Sequence, residues 1–171
     1  MMAAANPTVR SQVGVRGNAD AALPRWRELA KAMLPVEFAE ASYNSTQHCS
    51  IYDFFFTLLP KTRLAHRDND MDKLGRMHGF AQWAAVHPNK QIWNAAGVAF
   101  YEHLFDDDID ADAVMAWISP QVRQTVLGLW QYMLPAERFA SVARSAERIP
   151  FSHQKECETA IALVAEQGPD R

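Results

Sequence analysis

The residues of this chain that could carry chemistry are its histidines, its two cysteines and a run of aspartates. Glu102 is followed by His103, an acid–base pair in principle. No second histidine stands at the HExxH spacing of a zinc helix. The plainer reading pairs Glu102 with an arginine or sets it capping a neighbouring helix, and gives His103 a backbone carbonyl as partner. His78 and His87 are nine residues apart, two and a half helical turns, so they point to opposite faces of one helix and cannot share a metal. The Glu-x-x-His pairs of a di-iron bundle do not occur. Cys49 and His48 are adjacent, and adjacent residues on a helix do not face each other, so they make no nucleophile–base pair. Gly75 and Gly79 sit inside a helical stretch and do not follow a strand, which argues against dinucleotide binding. A phosphate-binding loop and a GxSxG elbow are both missing from the sequence. No cofactor or metal site is expected.

The most unusual local feature is the cluster Asp106, Asp107, Asp108, Asp110 and Asp112. A calcium loop starting at Asp106 would need glycine at its sixth position and glutamate at its twelfth, where the chain has Ala111 and Trp117. Two readings remain. The cluster is a solvated loop that caps the next helix, or a negative patch that steers a basic protein partner. Glu102 would then belong to the same face. Trp117 reads either as a binding anchor, since tryptophan is enriched at interface hot spots, or as a core residue.

The elements that position these residues are helical throughout, because no run shows the period-two alternation of a strand. A first segment over 24–43 is split by Pro35. A second, 50–66, carries the stripe Ile51, Phe54, Phe55, Leu58 and Leu59, and Pro60 is expected to kink or restart it. A third covers 71–87 and closes at Pro88. A fourth, 90–105, is apolar almost all round and so central. Gly97 inside it costs about 1 kcal/mol against alanine and implies close approach of a neighbouring helix. A short helix holds Val114, Met115, Trp117 and Ile118. Ser119-Pro120 starts the next, to about 134, with serine as N-cap and proline at the first helical position. Pro135 opens another to about 147. Ser152 is expected to cap a last helix through Cys157 and Ile161 that ends at Gly168-Pro169. The sequence thus reads as an all-α single domain over 23–168, about seven or eight helices packed as antiparallel αα-hairpins. Residues 1–22 read as a flexible leader.

The 171 residues suffice for a proper core, and 49% hydrophobic against 22% charged residues excludes global disorder. A net charge of −3 argues against a nucleic-acid binder. No window approaches the apolar length that spans a bilayer, and the N-terminus lacks the apolar stretch of a secretory signal. Two cysteines, outside any CxxC, read as free thiols in a reducing cytoplasm.

Three stretches carry a resemblance: Tyr52-Asp53-Phe54, Gly79-Phe80-Ala81-Gln82-Trp83, and the run from Trp93-Asn94-Ala95-Ala96-Gly97 through Val98-Ala99-Phe100-Tyr101-Glu102-His103-Leu104. With Trp117-Ile118-Ser119-Pro120 after an acidic loop, they resemble a family of small all-helical bacterial proteins of unknown function, over about residues 50–135. The chain departs at Gln82, where that pattern has an acid. Such proteins look like immunity proteins of bacterial toxin systems. The resemblance implies a cytoplasmic, non-enzymatic protein that binds a cognate toxin with a basic surface and blocks its active site or assembly. The partner-binding candidates are Glu102, Asp106, Asp107, Asp108, Asp110, Asp112 and Trp117. The rival readings are a helical adaptor with another protein partner, and a small enzyme using Glu102 with a histidine.

Overall fold

A capping box starts the third helix: the Asp53 backbone N–H donates to Ser50 Oγ (3.2 Å), and the Ser50 N–H donates back to Asp53 Oδ2 (2.9 Å). Local devices of this kind fix most helix starts. Asp70 Oδ1 accepts from the Lys73 N–H, and Ser119 Oγ from the Val122 N–H with Pro120 behind it. The computed structural model describes residues 23–45 and 48–165. Among them are nine α-helices and no strand. They are α1 (Leu23–Met33), α2 (Pro35–Asn44), α3 (Ile51–Asp68), α4 (Met71–Ala85), α5 (Lys90–Ala96), α6 (Ala111–Met115), α7 (Pro120–Met133), α8 (Ala136–Arg148) and α9 (Gln154–Ala165). The leader 1–22 and the expected stop at Gly168-Pro169 lie outside the described residues.

The split at Pro35 is present, but Pro60 neither stops nor restarts α3. Its missing N–H leaves the Phe56 carbonyl without a helical partner. Both residues are exposed, so water can take that carbonyl. The fourth segment also differs from expectation. Regular α-helix ends at Ala96 and is followed by a π-helical turn, Gly97–Tyr101, closed by the Glu102 N–H on the Gly97 carbonyl at 2.8 Å. Ser152 caps nothing: its N–H donates to the Ala116 carbonyl, and α9 begins two residues later.

Aromatic rings form the centre. Phe54 meets Phe80 edge-on at 5.1 Å, and Phe55 meets Phe80 at 5.6 Å and Phe100 at 5.7 Å. Trp26 and Phe38 extend this layer from α1 and α2. Truncating one such fully buried ring costs about 3–5 kcal/mol. Consecutive helices are neighbours from α1 to α5, yet the most extensive helix pairing is α4 with α9, distant in sequence. The close approach expected at Gly97 occurs there instead. A Cβ on Gly79 would stand 3.0 Å from the Cys157 carbonyl oxygen, and one on Gly75 3.4 Å from Glu156. Gly97 faces only a Leu129 methyl at 3.5 Å, an ordinary contact.

Candidate functional site

The aspartate cluster is held by basic side chains of the same chain. Asp107 pairs with Arg63 of α3 at 2.9 Å and with Arg67 at 3.8 Å. Asp106 Oδ2 meets His103 Nδ1 at 2.7 Å, so His103 has a carboxylate partner and not the expected carbonyl. Asp110 caps α6 by accepting the Asp112 N–H at 3.0 Å. Asp112 accepts Ser145 Oγ at 2.6 Å and Arg148 Nη2 at 2.5 Å, and these two partners of α8 lower its pKa below the usual carboxylate range. Arg138 of α8 donates to the Ile109 carbonyl at 2.6 Å, and Arg63 donates to the His103 carbonyl. Of the five carboxylates, only Asp108 has no partner among the described residues. The loop is therefore a strap between α3 and α8, and its charge is largely met from within.

Glu102 is half-buried, and no arginine or lysine lies within ion-pair reach of it among the described residues. Trp117 is 2% exposed and cannot reach a partner's surface, which corrects its reading as an anchor. Its indole stacks with two imidazoles, His78 at 5.7 Å and His153 at 3.9 Å, each inclined by 15°. His78 Nε2 in turn meets His66 Nε2 at 2.9 Å. His66 and His153 were not singled out from the sequence, because they lie at the end of α3 and just before α9. His78 carried a signal: it stands four residues from Leu74 on the buried stripe of α4. His87, as expected, serves elsewhere, accepting the Asn89 N–H and lying edge-on to Trp83. Among the described residues, no group of three or more His, Cys, Asp or Glu side chains could hold a metal ion.

Gln82, the departure from the family pattern, is a joint. Its Oε1 accepts the Ser119 N–H at 2.7 Å, and its Nε2 donates to Cys157 Sγ at 3.3 Å. A carboxylate could make the first bond but could not donate the second. Both cysteines are free and buried. Burial pushes the Cys157 thiol up to about 12 and raises that of Cys49.

The outer face of the motif stretch presents aromatic rings. Asn94 Nδ2 of α5 donates to Tyr52 Oη of α3 at 2.8 Å, tying the two helices together. One turn beyond Tyr52 stands Phe56, 57% exposed, and beside Asn94 stands Trp93, 40% exposed. The π-helical turn begins one turn after Trp93, where Gly97 leaves the surface bare of side chain. Elsewhere, a cleft of about 540 Å³ between α1, α4 and α9 is lined by Met33, Met71, Gly75, Arg76, Lys155 and Glu156. No helix among the described residues is long and apolar enough to cross a membrane.

A family model described as a domain of unknown function, DUF7674, matches residues 23–133. No curated protein and no solved structure matches the chain. The matched segment holds α1 to α7, and α8 and α9 follow it.

Proposed function

We propose that this chain, which belongs to the DUF7674 family through residues 23–133, is a non-enzymatic immunity protein that binds and neutralises a cognate bacterial effector toxin in the cytoplasm. One observation supports the reading most: Phe56 and Trp93 stand exposed on the two helices, α3 and α5, that the Tyr52–Asn94 bond ties together, within or next to the motif stretches. Large aromatics left in water beside an irregular helical turn are what a protein interface uses as anchors. The docking face is thus α3 with α5, and the aspartate loop orients the partner mainly through Asp108. Blocking of the toxin's active site or of its assembly follows from a standard interface of about 1,600 Å².

The test is recovery of the chain's partner from its native host at low and moderate salt. The expected partner is stoichiometric, toxic when expressed alone, and neutralised when this chain is co-expressed. Trp93→Ala and Phe56→Ala should each weaken that complex by at least about tenfold with an unchanged melting temperature, as hot-spot truncations do. A stable partner without toxicity selects the adaptor reading instead. Full binding in both aromatic variants would move the interface elsewhere.

A further inference from the structure

The array His66, His78, Trp117 and His153 joins four parts of the chain. His66 lies in the last turn of α3, His78 in the middle of α4, Trp117 just after α6, and His153 immediately before α9. We propose that this array is an acid-operated latch: protonation of the His66–His78 pair releases α9 from α4.

The two Nε2 atoms are 2.9 Å apart, so one donates and the other accepts. His78 is fully enclosed and its Nδ1 has no partner. An unpartnered buried N–H is rarer in native structures than an under-satisfied acceptor, which places the His78 proton on Nε2 and leaves Nδ1 a bare lone pair. His66 Nε2 is then the acceptor. Any added proton breaks this arrangement. On His66 it occupies the accepting lone pair, so either two N–H groups face each other or the His78 proton moves to Nδ1, where nothing receives it. On His78 it creates an enclosed N–H with nothing to receive it. Only the neutral pair is satisfied.

The charges around the pair do not rescue the protonated form. His153, at the start of α9, disfavours charge on both histidines, and only Asp110 favours it on His66. Glu156 of α9 lies 3.8 Å from His153 Nδ1, and Asp107 is held by Arg63 and Arg67. The Tyr101 hydroxyl, on the π-helical turn, is buried and neutral. Burial dominates, holding His66 down to about 4 and His78 well below its ordinary 6.5. The sign follows from proton uptake. Below pH 6.5 an opened form binds protons that the closed form refuses, so closure weakens as pH falls from 6.5 towards 4 and is fully present above 6.5.

The wall that yields is α9. His153 covers Trp117, and the next turn presses Glu156 and Cys157 on Gly75 and Gly79. On its described side chains α9 buries the small residues Cys157 and Ala160, with Ile161 partly buried. Lifting it opens the α4 face and admits water to His78.

Amide hydrogen exchange on the full chain tests this, at about pH 7 and about pH 4.5, with rates corrected to intrinsic exchange. The expected result is an opening constant for α9 that rises at least about tenfold at the lower pH, with α3 and α4 still protected. His66→Gln keeps an acceptor for His78 and removes one of the two titrating imidazoles, so the rise of its α9 should be clearly smaller than the wild type's. An α9 indifferent to pH, protection lost equally everywhere, or a wild-type response in His66→Gln overturns the proposal. Should His66→Gln not fold, imidazole titration by NMR in the wild type decides: both histidines must titrate together with α9 release. Titration near 6.5 with α9 still docked overturns it.

Discussion

At the scale of the residue, Arg123 shows how much a single side chain can organise. It is buried, and Nε donates to the Ile118 carbonyl (2.8 Å), Nη1 to those of Ala146 (2.8 Å) and Ile149 (2.7 Å), and Nη2 to that of Met115 (2.5 Å). The acceptors cluster at the C-terminal ends of α6 and α8, where the helix dipoles are negative, so the charge needs no carboxylate. Lysine has the charge but no planar fork. Arg123→Lys should lower unfolding stability by about 2–4 kcal/mol, through loss of at least two charge-assisted bonds, as read by urea denaturation. The thiols give a second expectation. With Cys157 pushed up to about 12 and Cys49 raised, both should resist a thiol reagent in the native protein and react once it is unfolded. That the cysteines are free and buried was legible in the sequence. Arg123 was not: an arginine within a helix reads as a solvated residue, and its acceptors are carbonyls that every residue possesses.

At the scale of the element, glycines separate two effects. Gly128 has nothing within 4 Å of where a Cβ would stand. Gly128→Ala should therefore stabilise α7 by about 0.5–1 kcal/mol through helix propensity alone. Gly79→Ala gains the same propensity but meets the Cys157 carbonyl oxygen at 3.0 Å, a backbone atom that can give way only if α9 shifts. Thermal unfolding should move in opposite directions for the two variants. Helix starts such as Ser50 and Ser119-Pro120 were legible because a cap is local chemistry. The π-helical turn at Gly97–Tyr101 was not, since Trp130 Nε1 fixes the Tyr101 carbonyl from another helix at 2.7 Å. Pro60 misled for a related reason: whether a proline breaks a helix depends on who receives the orphaned carbonyl, and here that side faces water.

At the scale of the whole molecule, the family-matched segment 23–133 lacks two of its own supports. The Arg123 acceptors Ala146 and Ile149 lie beyond it, as does the Cys157 thiol that meets Gln82. Expressed alone, 23–133 should unfold at a markedly lower temperature than the full chain and with lower cooperativity, measured by circular dichroism. The all-α class and a single apolar core were legible, because helical periodicity and large aromatics determine both. The candidate site was legible only in part. Glu102 and the aspartates stand near the surface, but the arginines that pair with Asp107 and Asp112 come from α3 and α8, and nothing in the spacing announces those pairings. The exposure of Phe56 and Trp93 was equally hidden, since each belongs to a run rich in core residues.

The joining of α4 to α9 also bears on how the chain is made. Gln82 and Cys157 are 75 residues apart. At a synthesis rate of about 5–20 residues per second, α4 exists for roughly 4–15 seconds before its covering helix has been assembled. During that interval the small-residue face around Gly75 and Gly79 is bare on the ribosome. The nascent protein is then most open to chaperones and to wrong partners, and only the arrival of α9 closes that face.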